Sequence, residues 1–139
     1  MKARFLNLLL IATLITSCSN NNNDDLVTNA GQAATSGTWR VTLFTDSGNN
    51  ETSDYTGYNF TFNTDGTLIV VKGAVTKTGT WSFISSSSKF NIDLGPKLDA
   101  NKPFGELTDD WKIISTSPTE IRLSDDNSSS NEQLTFTKN

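Results

Sequence analysis

From Gly37 onward, apolar and polar residues alternate with a period of two, in short runs that are separated by turn-forming residues. This period is typical of half-buried β-strands, and no stretch after Gly37 has the period of an amphipathic helix. Asp65-Gly66 predicts a hairpin turn between two of the runs. The pattern predicts eight strands with these inward residues: Trp39, Val41 and Leu43; Tyr58, Phe60 and Phe62; Leu68 and Val70; Trp81 and Phe83; Phe90, Ile92 and Leu94; Trp111 and Ile113; Ile121 and Leu123; Leu134 and Phe136.

Short antiparallel strands with one apolar face favour a single all-β domain over residues 36–139, formed as an up-and-down eight-stranded barrel. Closure of the barrel removes exposed strand edges, which otherwise invite aggregation. Residues 95–110 break the alternation and contain Pro96, Pro103 and Gly105, so they predict a long connection across one end. A barrel of this size is either filled by side chains or keeps one small cavity, and the sequence leaves both open.

The first 17 residues predict a secretory signal peptide, with Lys2 and Arg4 before an apolar run and small residues at its end. The run is too short to span a bilayer as a stable helix. Ile15-Thr16-Ser17-Cys18 resembles a lipobox, which implies cleavage before Cys18 and lipidation of its sulfur and its amino group. Three acyl chains such as palmitate, at about 0.8 kcal/mol per buried methylene, anchor a protein stably where one chain does not.

Residues 18–35 are rich in Asn and small residues and lack aromatic residues, so they predict a flexible tether. Ser19 after the lipidated cysteine resembles the outer-membrane sorting pattern of Gram-negative lipoproteins. The asparagine run before Asp24-Asp25 resembles the acidic tethers of surface-exposed lipoproteins, although a solvated spacer explains it equally well. We therefore expect lipid anchoring to the outer membrane, on its periplasmic face or at the cell surface.

Without Lys2 and Arg4, the mature chain has nine basic and 15 acidic residues. This acidic balance argues against nucleic-acid binding. The chain has no histidine, which is the commonest general base near neutral pH and the commonest metal ligand. Asp125-Asp126-Asn127 and Asp24-Asp25 are rich in oxygen, but neither has the spacing of a known calcium loop. We expect no enzymatic activity, no cofactor and no metal.

Gly37-Thr38-Trp39, which follows the tether and opens the first strand, resembles the Gly-x-Trp signature of lipocalin barrels. The tripeptide recurs as Gly79-Thr80-Trp81, and residues 104–114 are similar to small bacterial lipocalin-like lipoproteins. The resemblance covers residues 36–138. It implies that Trp39 closes one end of the barrel beneath a basic residue from a late strand. The sequence does not decide whether that residue is Arg122 or Lys138.

The resemblance implies that a small hydrophobic or amphipathic ligand binds at the open end of a monomeric barrel. The candidate lining residues are aromatic, and each of them can equally serve as core packing. The alternative is an accessory lipoprotein with a filled barrel that binds another envelope protein. A third possibility is an inhibitor or immunity-like lipoprotein that acts through the loop at 49–56. The candidate ligand-binding residues are Tyr58, Phe60, Phe83, Phe90 and Trp111.

Overall fold

A computed structural model of the protein describes residues 30–127 and 129–139. Within them the strands are β1 (Thr38–Asp46), β2 (Asn49–Asn50), β3 (Asn59–Phe62), β4 (Thr67–Lys72), β5 (Val75–Ile84), β6 (Lys89–Asp93), β7 (Asp109–Thr116), β8 (Glu120–Ser124) and β9 (Gln133–Lys138). Short 3₁₀ turns are η1 (Thr52–Tyr55), η2 (Ser85–Ser87), η3 (Asp99–Asn101) and η4 (Phe104–Leu107). No helix in these residues is long and apolar enough to cross a membrane.

The strands form one closed antiparallel barrel. Each strand from β3 to β8 pairs with the next one along the chain, β1 pairs with β3, and β9 pairs back with β1. The two residues of β2 pair only with the end of β1, so β2 lies outside the eight-stranded ring. The predicted all-β, up-and-down eight-stranded barrel is therefore confirmed, and β2 is an addition that the periodicity did not show.

One predicted inward residue was wrong. We expected Leu43 to face the core and Phe44 to face outward, but Phe44 is buried and Leu43 is partly exposed. The pairing of β1 with β9 shifts register between Val41 and Leu43, which leaves Thr42 as an extra residue in β1. Such a β-bulge reverses the faces of all residues beyond it, and the period-two pattern does not record it.

Part of the predicted tether packs against the barrel, although we expected the barrel domain to begin at residue 36. Residues 30–34 are helical, and Ala30 and Ala34 are fully buried in the barrel core. Alanine side chains are short enough for a helical turn to lie directly against the end of the barrel. The signal peptide, Cys18 and the rest of the predicted tether lie outside the described residues.

The predicted long connection joins β6 to β7 through η3 and η4, and it covers one end of the barrel. This end also carries the connection from β1 to β3, which includes η1. We call it the loop end. The helical turn at 30–34 lies at the opposite end with Trp39, which we call the Trp39 end.

Candidate functional site

The five predicted ligand-binding residues do not form one open cavity. Phe60, Phe90 and Trp111 are fully buried, whereas Tyr58 and Phe83 are partly exposed. Phe90 pairs with Phe83 on β5 and with Trp111 on β7, so these three side chains lie side by side. Phe60 and Tyr58 lie elsewhere in the barrel, on β3 and just before it.

Aromatic rings in mutual contact occupy the barrel interior. The ring of Phe62 packs edge to face against Trp81, Phe90 and Phe136, with centroid distances of 5.3, 5.4 and 5.3 Å. Phe44 makes similar contacts with Tyr55 at 5.2 Å and with Trp111 at 6.4 Å. These separations are those of favourable aromatic pairs. Of the residues that we expected to contact a ligand, Phe60, Phe90 and Trp111 instead contact other aromatic side chains of the interior.

Trp39 lies at the end of the barrel where β1 begins. It is fully buried, and its Nε1 donates a hydrogen bond to the Ala34 carbonyl at 2.8 Å. The Nζ of Lys138 lies 6.0 Å from the Trp39 ring centroid and donates to Ser36 Oγ at 2.9 Å. Lys138 is therefore the basic residue that the sequence left undecided.

Neighbouring residues explain why Lys138 has this place. An alanine Cβ at Gly37 would lie 2.9 Å from Lys138 Cε, so the glycine of the signature makes room for the lysine. Arg122 instead pairs with Thr135 of β9 and lines a depression on the outer wall of the barrel. It takes no part in covering Trp39.

The loop end is covered by Tyr55, a residue that the sequence reasoning missed. Tyr55 is buried, and its hydroxyl donates to the Pro103 carbonyl at 2.9 Å, which joins the two long connections. Burial, reinforced by the carboxylates of Glu106 and Glu51, raises the pKa of the Tyr55 phenol above its ordinary value. The signal for Tyr55 was weak because it stands in a polar segment without strand periodicity.

Two further aromatic rings complete the cover at the loop end. Tyr58 packs edge to face against Phe104 with a centroid distance of 5.2 Å. Lys72 Nζ lies 4.8 Å from the Tyr58 ring, and Lys77 Nζ donates to Asn101 Oδ1 at 2.9 Å. Tyr58 therefore belongs to the cover of the barrel.

Four of the surface depressions formed by the described residues have volumes from about 200 to about 380 Å³. None of these four is lined by a predicted ligand-binding residue. One, of about 360 Å³, lies at the Trp39 end between the helical turn and the connection from β7 to β8. The other three lie on the outer wall or beside the loop from β8 to β9.

The charged side chains mainly join neighbouring elements of the barrel. Lys89 bridges the carboxylates of Asp110 and Asp126, and Lys97 pairs with Asp109 at 2.6 Å. Asp125 accepts hydrogen bonds from within its own loop, from Ser130 and from the Asn127 backbone. In residues 30–127 and 129–139, no three metal-ligating side chains are grouped to hold a metal ion.

The barrel is similar to solved structures. It matches the crystal structure of a DUF4847 family protein from Bacteroides vulgatus with a TM-score of 0.58 and 21% sequence identity, over 78% of this chain and 96% of that one. The likeness shows the fold. The NMR structure of a protein from Burkholderia xenovorans gives a TM-score of 0.49 and 15% identity over 99% of this chain and 98% of that one. No protein-family model and no curated protein matches the sequence.

Proposed function

We propose that this protein is a lipid-anchored lipoprotein of the outer membrane, without catalytic activity, whose filled barrel binds another envelope protein. The supporting observation is the aromatic packing of the interior together with the cover at both ends. A hydrophobic ligand inside the barrel would have to displace rings such as Phe62, which contacts three other aromatic rings. The cost of losing such contacts favours the accessory function over the ligand-binding one.

The anchor in this proposal gives the barrel an orientation. The described chain begins at the Trp39 end, and the 12 steps from Cys18 to Ala30 reach at most about 43 Å when fully extended. A flexible segment of that length has a typical span of only about 20 Å. The Trp39 end therefore stays near the bilayer, and the loop end is the surface presented to a partner.

Native mass spectrometry tests the filled barrel. The sample is the mature chain from residue 18 with Cys18→Ser, purified from a bacterial periplasm. We expect a mass without any small molecule, unchanged after exposure to fatty acids, isoprenoids and haem. A stoichiometric hydrophobic molecule that leaves on unfolding would overturn the filled barrel in favour of ligand binding.

Cell fractionation and crosslinking test the anchor and the partner. Wild-type protein should fractionate with the outer membrane, and Cys18→Ser should be released into the soluble periplasm. A photo-crosslinking residue at exposed Leu98 of the loop end should capture one discrete partner, and the same residue at exposed Ile84 should not. Membrane retention of Cys18→Ser would contradict the anchor, and the absence of crosslinks from every loop-end position would contradict the partner.

A further inference from the structure

The acidic side chains of the barrel are concentrated at one end. Because the strands run up and down, the connections β1–β3, β4–β5, β6–β7 and β8–β9 all lie at the loop end. Of the 15 acidic residues in the chain, Asp24 and Asp25 precede the described part. Eleven of the remaining 13 lie in these connections or within two residues of the strand ends that meet them, and the exceptions are Asp65 and Glu120.

Lysines neutralise only part of this charge. Four lysines belong to the loop end, and a fifth, Lys89, reaches the carboxylates of Asp110 and Asp126 from β6. The four are Lys72, Lys77, Lys97 and Lys102. The acidic residues of the loop end therefore exceed these five basic ones by six. The carboxylates there that form no ion pair within residues 30–127 and 129–139 are those of Asp46, Glu51, Asp54, Asp93, Asp125 and Glu132.

The pKa values show that the loop-end carboxylates act on one another. Partial burial and the nearby carboxylates, above all that of Glu106, raise the pKa of Glu51. Partial burial also raises the pKa of Glu132, and the carboxylate of Asp46 raises it further against the opposing charge of Lys97. Asp46 contributes to both shifts, so the negative potential extends from the β1–β3 connection to the β8–β9 loop.

The Trp39 end carries no such excess of negative charge. Its two acidic residues, Asp65 and Glu120, are balanced by Arg40 near the start of β1 and Lys138 at the end of β9. Apart from Asp65, the turns at 63–66, 85–88 and 117–119 contain only uncharged residues. The described chain also begins at this end, with the helical turn at 30–34. The barrel therefore has a neutral end, where the segment from Cys18 joins it, and an acidic end.

An anionic lipid surface distinguishes these two ends. Its negative potential repels carboxylates within about one Debye length, roughly 8 Å at physiological salt. The predicted tether alone leaves the barrel free to tip, because its typical span of about 20 Å is comparable to the length of β1, which is nine residues or about 30 Å. The excess of negative charge at the loop end disfavours every orientation that brings this end against the lipid.

We propose that an anionic lipid surface orients the anchored barrel, with the neutral Trp39 end against the bilayer and the acidic loop end held away from it. The inference rests on the lipid anchor of the proposed function and adds a dependence on lipid charge. On an anionic membrane the loop end is free to meet a partner, whereas on an uncharged membrane the barrel tips and lipid covers this end part of the time. The lipid composition thereby regulates access to the partner-binding end.

Paramagnetic relaxation of backbone amides measures this orientation. The ¹⁵N-labelled chain from residue 18 is coupled through Cys18, the one cysteine of the sequence, to a maleimide lipid in nanodiscs that contain a small fraction of gadolinium-chelating lipid. The other lipid is phosphatidylcholine, alone or mixed with phosphatidylglycerol. On the anionic discs we expect strong relaxation at 63–66 and 85–88 and weak relaxation at 52–55 and 98–101. Relaxation of the loop-end amides should be about tenfold weaker on the anionic discs than on the neutral ones.

Two variants with the same change in net charge test the electrostatic cause. The double variant Asp54→Lys, Asp99→Lys makes the loop end less negative, so its amides should relax at least about threefold faster on the anionic discs than in wild type. The matched double variant Asp65→Lys, Glu120→Lys changes the Trp39 end instead and should keep the wild-type orientation. Amide shifts of the barrel strands, compared with those of wild type, show that both variants are folded.

Three results would overturn the proposal. Equal relaxation at the two ends on anionic discs would show that the barrel tips freely. The same asymmetry on neutral and anionic discs, or an unchanged orientation in Asp54→Lys, Asp99→Lys, would show that charge does not set the orientation. The maleimide lipid replaces the native acyl chains in this experiment. Membrane retention of Cys18→Ser in cells would therefore contradict the proposed function and leave this measurement unaffected.

Discussion

At the Trp39 end, a tryptophan lies beneath a helical turn and a lysine, whereas at the loop end Tyr55 lies beneath two long connections. The groups that cover Trp39 come from nearby in the chain or from the neighbouring strand: Ala34 is five residues away, and Lys138 lies directly opposite on β9. Tyr55 bonds to Pro103, which is 48 residues away. One end is therefore closed by the short segment before Trp39 and by a lysine of the last strand, and the other end by a meeting of two long connections.

This difference explains why only one end resembles a lipocalin at the level of sequence. Three consecutive residues supply most of the Trp39 end. Gly37 leaves room for a lysine, Thr38 begins β1, and Trp39 provides the large buried side chain. No short pattern encodes the loop end, because its cover depends on where two loops meet. The function that we propose also depends on the loop end, since an open mouth there would favour a ligand and a covered one favours a partner.

The largest expected effect is that of Trp39→Ala. This substitution removes a fully buried indole and its hydrogen bond to Ala34, so the free energy of unfolding should fall by about 3–5 kcal/mol. Denaturant melts followed by circular dichroism measure it. A change within about 0.5 kcal/mol would contradict the place of Trp39 in the closure.

Gly105→Ala probes the loop end. An alanine Cβ there would lie 2.3 Å from the Pro96 carbonyl oxygen, so the buried connection between β6 and β7 would have to shift. We expect a loss of about 1–3 kcal/mol in the free energy of unfolding, typical of overpacking. The chemical shifts of Tyr55 and Phe104 should move while those of Trp39 stay in place. Equal stability in wild type and variant would show that the loop end is loosely packed.

Tyr55→Phe removes one hydrogen bond, from the phenol to Pro103, and should cost about 0.5–1.5 kcal/mol at neutral pH. The variant should also change how the free energy of unfolding depends on pH. Burial raises the pKa of Tyr55 in the folded state, so its contribution is complete below the ordinary tyrosine pKa and is lost as the pH rises above it. Wild type should therefore lose stability above about pH 10, and Tyr55→Phe should lose less. If the free energy of unfolding changed with pH in the same way in both proteins, the result would contradict the burial of the phenol.

The smallest effect is expected for Lys138→Met, which keeps much of the side-chain volume but removes the charge above Trp39. A cation–π contact at an exposed site contributes about 0.5–1 kcal/mol. The free energy of unfolding should therefore fall by no more than this amount when the contact of Lys138 with Trp39 is removed. Lys112→Met, at an exposed lysine on β7, serves as the matched control. Equal losses in the two variants would show that the contact with Trp39 adds nothing to stability.

The alternation of residues predicted the eight strands of the ring because a strand with one buried face must repeat every second residue. It misplaced Leu43 because the bulge at Thr42 is set by the pairing with β9, which the sequence of β1 does not contain. It placed residues 30–34 in the tether because a single helical turn of small residues has no recognisable period. The burial of Ala30 and Ala34 arises only when the barrel end is there to receive them.

The sequence alone determined the all-β class, the order of the strands and the aromatic identity of the core. Each of these follows from local periodicity or from a short motif. Only the tertiary structure decided that Lys138 covers Trp39, that Tyr55 covers the loop end, and that Phe60, Phe90 and Trp111 pack against other side chains. The same alternating aromatic residues suit a cavity wall and a solid core, and the difference lies in the contacts made between strands.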